Sequence, residues 1–214
     1  MTAADPPRIV ACVGQAERAV PIEGARQLAA CVGSAIGAEW PVRMRFIASG
    51  ETPPPAIALV TTLIADVASD APLATVDTRW RESVARWFAA GQQRILLCTL
   101  FRSVADPAVR AARIERIRRL NLLAIGLSRD TGVEIVDVDR LFALCGARAI
   151  GTDYRCTGPA ADGLAGHAIA AAILAGDLGA ALDPAVQERA AHALGSVGDT
   201  QALILQHVTG ARAQ

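Results

Sequence analysis

The feature that most constrains this chain is an alternation. Short apolar runs, too brief for helices, are separated by longer segments whose apolar residues recur every three or four positions. Residues 8–13 (RIVACV), 57–64 (IALVTTLI), 95–100 (ILLCTL) and 133–138 (VEIVDV) read as buried strands. Residues 42–48 (VRMRFIA) alternate apolar and basic side chains, which suits a strand at a sheet edge with one face wet. Pro21 opens a helix carrying Ile22, Ala25, Leu28, Ala29, Val32 and Ile36, and Gly37 closes it. Asp77 or Thr78 is placed to cap a second helix with Trp80, Val84, Trp87 and Phe88, ended by Gly91. Asp106-Pro107 starts a third, in which Ile114, Ile117, Asn121, Ala124 and Ile125 share one face as far as Arg129. Asn121 on that face reads as a satisfied core amide. A helical turn over 141–145 and a helix over 164–175 complete the series.

Strands alternating with helices imply a mostly parallel sheet covered on both faces. The wet strand belongs at one edge and strand 8–13 inside, which predicts five parallel strands in the order 2-1-3-4-5. Residues 1–180 are expected to form this domain. Residues 181–214 stand apart as a helical hairpin extension, with helix starts at Asp183-Pro184 and Asp199 and a turn at 195–198. Helices over 184–194 and 199–209 would each carry an apolar stripe and must bury it on the domain or in a dimer.

Composition narrows the function classes. At 52% hydrophobic the chain is no disordered tail, and with only 4% aromatics its core must be aliphatic. Equal numbers of basic and acidic residues, 21 each, argue against a protein held to nucleic acid by phosphate contacts. The Arg-rich helix 107–129 reads as a solvated face or a site for an acidic partner. No secretory signal opens the sequence, no apolar run spans a bilayer, and five cysteines without a CxxC pair suit reduced thiols. The expected setting is therefore cytoplasmic. Three scattered histidines give no metal-ligand spacing, and neither GxGxxG nor GxxxxGK[ST] is present, so no cofactor is expected.

In an open parallel sheet, ligands bind beyond the carboxyl ends of the strands. That places the candidate chemistry at 14–17, 49–52, 65–69, 99–102 and 151–167. Strand 8–13 is followed by Gly14-Gln15-Ala16, and strand 42–48 by Ser49-Gly50-Glu51-Thr52. Strand 57–64 runs into Leu63-Ile64-Ala65-Asp66. Asp153-Tyr154-Arg155-Cys156 and Asp162-Gly163-Leu164 precede Gly166-His167-Ala168-Ile169-Ala170. In this order and spacing, residues 8–176 resemble the SGNH/GDSL hydrolases.

The resemblance implies a flavodoxin-like three-layer α/β/α sandwich and an esterase or lipase ancestry, with a Ser–His–Asp site and an oxyanion hole. It also implies a setting in acylated-carbohydrate or exopolysaccharide metabolism. Set on the family's blocks, the nucleophile position is Ala16, the oxyanion positions are Leu63 and Ala65, and Cys156 stands where a His is expected. An alanine has no oxygen to attack with. Losing one oxyanion donor typically costs about 10²–10³ in rate. The expectation is a protein without standard Ser catalysis that binds a small ester or acylated sugar through Gly14, Gln15, Ser49, Gly50, Asp66 and Cys156. The alternative is an active esterase or acyltransferase with a relocated site on Asp153 and His167, with Cys156 as a further candidate. A third reading is an interaction module, a homodimer or protein partner engaging the C-terminal helices or the basic helix. A flavodoxin-like nucleotide binder ranks behind these.

Overall fold

The structure is a computed structural model, described over residues 6–146, 151–178 and 181–195. Five parallel strands form one sheet in the order β2-β1-β3-β4-β5. They are β1 (Arg8–Cys12), β2 (Arg43–Phe46), β3 (Ala58–Thr62), β4 (Ile95–Cys98) and β5 (Glu134–Val136). Register is tight across the middle: Val10 lies opposite Leu59 on one side and Arg45 on the other. In β2, Arg43 and Arg45 are exposed while Met44 and Phe46 are half-buried, the pattern of a wet edge.

Helices cover both faces. On one side α1 (Ala19–Ile36), α6 (Pro159–Ala175) and α7 (Pro184–Leu194) enclose a cluster around Ile9, Leu28, Leu96 and Ile169. On the other, α3 (Leu73–Ala89) and α4 (Arg110–Thr131) close over Val10, Leu59, Trp87 and Leu120. Two short helices, α2 (Ile64–Val67) and α5 (Val138–Leu144), sit just past β3 and β5. The result is the expected three-layer α/β/α sandwich with a helical extension.

Several boundaries differ from the sequence reading, each for a local reason. Helix α1 begins at Ala19, two residues before Pro21, and ends as expected on Gly37 in the left-handed region at φ 68°. Helix α3 begins at Leu73 behind Pro72, so neither Asp77 nor Thr78 caps it; Asp77 instead accepts from Arg81 one turn on. Asp106 caps a turn rather than a helix, accepting from the Ala108 N–H at 2.9 Å, and α4 starts at Arg110. Ile125, placed with the core face, is 55% exposed, whereas Leu120 and Leu127 are buried. Helix α6 starts at Pro159, not 164, because the proline takes the first helical position. Helix α7 matches its expected span, capped by Asp183; the expected helix over 199–209 lies outside the described residues.

Helices α1 and α6 cross in near backbone contact. A Cβ on Gly166 would stand 2.7 Å from the Gly24 amide nitrogen and 3.0 Å from the Glu23 carbonyl carbon. Gly166 thus serves a helix crossing. Helix α7 is tied to the same layer: Gln187 donates to the carbonyls of Leu174 and Gly176, Arg189 donates to that of Ala35, and Ala190 is buried.

Candidate functional site

The chain leaves β1, β2 and β3 at the same edge of the sheet, and their following turns wall a cleft of about 400 Å³. Cys12, Val13 and Thr62 form the floor, where the Thr61 hydroxyl ties β3 to β1 by donating to the Cys12 carbonyl at 2.8 Å. The turn after β1 brings Gly14 and Glu17, the turn after β2 brings Ile47, Ala48 and Ser49, and the turn after β3 brings Ala65, Asp66 and Ser69. Helix α3 supplies Arg79, Trp80 and Ser83 from one face of its second and third turns.

Asp66 anchors this arrangement. Its carboxylate is 3% exposed and accepts from the Arg79 guanidinium and from the Trp80 indole N–H at 2.8 Å. A buried carboxylate needs such partners, because an unpaired charge away from water is costly. Its backbone carbonyl accepts from Arg116 of α4, which also reaches the Ala71 carbonyl, so the Asp66–Ala71 turn is held from both sides.

A narrow apolar crevice of about 30 Å³ adjoins the cleft and shares Val13, Glu17 and Thr62 with it. Val60, Cys98, Tyr154, Cys156 and Ile169 are among its walls. Cys156 is buried with φ 51°, a strained backbone for a non-glycine residue, and burial pushes its thiol up to about 12. Burial likewise raises Cys12 to about 11 and Cys98 to about 12. All three are protonated at neutral pH, so none presents a thiolate.

The remaining expected residues lie elsewhere. Ala16 is exposed on the 3₁₀ turn Gln15–Glu17 and, like Gln15, faces away from cleft and crevice; Glu17 is the member of that turn that faces in. Gly50 is exposed beyond Ser49, with open space where a side chain would be. Asp153 is 5% exposed and lines neither cavity. Arg155 holds it through a two-pronged ion pair, with bonds of 2.6–3.2 Å, and through its own backbone N–H. Burial alone would raise the Asp153 carboxyl, but these Arg155 contacts outweigh it and keep the group below the usual carboxylate range. Asp162, in the first turn of α6, is raised by burial and by Glu23.

His167 is also 2% exposed and lines neither cavity. Because α6 begins at Pro159, His167 sits mid-helix rather than at a helix start. Burial lowers its imidazole pKa, so the ring is neutral at neutral pH.

The site therefore gathers Gly14, Ser49 and Asp66 from the expected set, and the apolar crevice takes Cys156. Glu17 and Ser69 lie within the expected turns 14–17 and 65–69 but were not singled out there, whereas Arg79, Trp80 and Ser83 of α3 were not expected at the site. Trp80 was visible only as part of an apolar stripe. Their spacing of three and four residues puts Arg79, Trp80 and Ser83 on one face of α3. Among the described residues, no group of three or more His, Cys, Asp or Glu side chains is placed to hold a metal ion.

With the fold and cleft in place, comparison with solved structures finds chains of similar fold. The crystal structure of LAE5, an alpha/beta hydrolase enzyme from the metagenome of Lake Arreo, Spain, aligns with a TM-score of 0.50. It is 16% identical, and the match covers 89% of this chain and 97% of that one. At that identity the likeness shows a shared fold. No family model and no curated protein matches the chain. Among the described residues, no helix is long and apolar enough to cross a membrane.

Proposed function

We propose that this chain is an SGNH/GDSL-like protein of the hydrolase fold that binds an acylated sugar or other small polar ester without cleaving it. The carrying observation is the composition of the cleft. It offers carboxylates, a guanidinium, an indole edge and three serine hydroxyls, and its described lining contains no imidazole. Those groups match a polyhydroxylated ligand, whose hydroxyls both donate and accept. Ester hydrolysis requires a nucleophile hydrogen-bonded to a base. Here Ser69 accepts from the Ala71 N–H and Ser83 from Arg86, while no hydrogen bond joins Ser49, Ser69 or Ser83 to Glu17 or Asp66.

The reading places the protein as a ligand-binding or scaffold component of acylated-carbohydrate or exopolysaccharide metabolism in the cytoplasm. In it, residues 1–180 form the binding domain and 181–214 an extension available to a partner or a second copy. The test combines three assays on the full chain. Calorimetric titration with N-acetylglucosamine should give saturable binding, acetate release from an acetylated sugar should stay at background, and a fluorophosphonate should leave the protein unlabelled. Turnover abolished by Asp153→Ala and by His167→Ala would overturn the proposal in favour of an active esterase or acyltransferase on that pair.

A further inference from the structure

The charge inside the cleft is not balanced. Its charged lining residues are Glu17, Asp66 and Arg79, and the Arg79 guanidinium is committed to Asp66. Glu17 is left over. Its half-buried carboxylate forms no side-chain hydrogen bond or ion pair with any described residue, although it stands where cleft and crevice meet. Beyond the lining, one charge of each sign, Arg86 and Glu51, lies near enough to act on Cys12, so the count of charges stays one cation short. Arg86 itself donates to the Ser49 carbonyl and the Ser83 hydroxyl.

The backbone around Glu17 is built to hold it there. Gly14 has φ −64°, which any residue adopts, so the glycine is not needed for its dihedral angle. It is needed for space: a Cβ at position 14 would overlap Glu17 Oε2. The absent side chain lets the carboxylate fold back over the turn and face the cleft. A carboxylate kept for helix-start electrostatics alone has no use for that room.

We propose that the cleft takes a ligand bearing a protonated amine, a small ammonium-substituted polyol such as an amino sugar, with the ammonium group on Glu17. This rests on the reading of the cleft given above and names the ligand class for it. The ammonium supplies the one positive charge the lining lacks. The hydroxyls of the ligand meet Ser49, Ser69 and the outer edge of the Asp66–Arg79 pair.

The experiment is a calorimetric comparison of glucosamine, glucose and N-acetylglucosamine at mildly acidic pH, where the amine is charged. The expected result is glucosamine binding about tenfold more tightly than glucose, the worth of one charge-assisted hydrogen bond. Glu17→Gln, which keeps the shape and removes the charge, should abolish that preference, so that glucosamine and glucose bind alike. Gly14→Ala should weaken the preference without unfolding the chain, since only the flexible end of Glu17 has to move. If N-acetylglucosamine binds and glucosamine binds no more tightly than glucose, the ammonium assignment falls while the cleft reading stands. A preference that survives Glu17→Gln also overturns the assignment. If none of the three sugars binds, both fall.

Discussion

The turns after β1–β3 and the segment 151–175 are both rich in polar groups, and they use them in opposite ways. In the cleft, Glu17, Arg79 and Ser49 border open space. In the later segment Asp153 is closed off by Arg155, Gly166 is pressed against α1, and His167 is buried within α6. The same residue types therefore carry different meanings. A polar side chain satisfied inside the protein contributes to packing, whereas one whose unmet valence faces a void is available to a ligand. Sequence cannot separate these cases, because the partner that decides between them is brought in by the fold.

If the later segment is packing machinery, its variants should damage stability first. The largest effect is expected at the α1–α6 crossing, where Gly166→Ala forces a methyl against backbone and should cost about 1–3 kcal/mol in a urea melt. Gly163→Ala on the same helix meets nothing within 4 Å and should be neutral or stabilising by about 0.5–1 kcal/mol. Equal effects at the two glycines would break the comparison.

Next in size is Arg155→Ala, expected to cost about 1–2 kcal/mol at neutral pH, discounted because the arginine side chain is 55% exposed. The folded Asp153 carboxyl is held below its unfolded value. Its contribution is therefore present above an unfolded pKa of about 3.9 and is lost as pH falls through the folded value. The stability curves of wild type and Arg155→Ala should converge in that acid window.

His167 acts with the lowered-imidazole sign. Its neutral burial contributes fully above an unfolded pKa of about 6.5 and is lost on acidification toward the folded value, at up to about 1.4 kcal/mol per pH unit. Relative to His167→Gln, the wild type should lose stability across that window; a parallel pH profile would contradict a buried, neutral ring. The smallest stability effect belongs to the cleft, where Ser49→Ala should stay within about 0.5 kcal/mol of wild type while weakening sugar binding.

The sheet was largely legible. Strands announced themselves because residues such as Ile9, Val60 and Leu97 are apolar whichever face they take, and the Arg43–Arg45 alternation marked the edge. The satisfied role of Asn121 was legible too: its amide bonds both the N–H and the carbonyl of Leu100. Helix starts were less so. Asp77 and Asp106 look like caps, yet Arg81 and the Ala108 N–H compete for them more locally. In the site, Ser49 and Asp66 were found by their place after a strand. Glu17 lay in the expected turn 14–17, but nothing local marks it out from Gln15 and Ala16, and Arg79 was hidden because its partner lies 13 residues earlier in the chain.

The central claim is that ligand chemistry belongs to the β1–β3 cleft and not to Asp153 and His167. Backbone amide chemical-shift mapping during titration with N-acetylglucosamine tests it most directly. The account predicts shifts concentrated at residues 14–17, 47–49, 65–69 and 79–83, with no acetate released. Shifts concentrated at 153–167, or steady acetate release from an acetylated sugar under the same conditions, would contradict it.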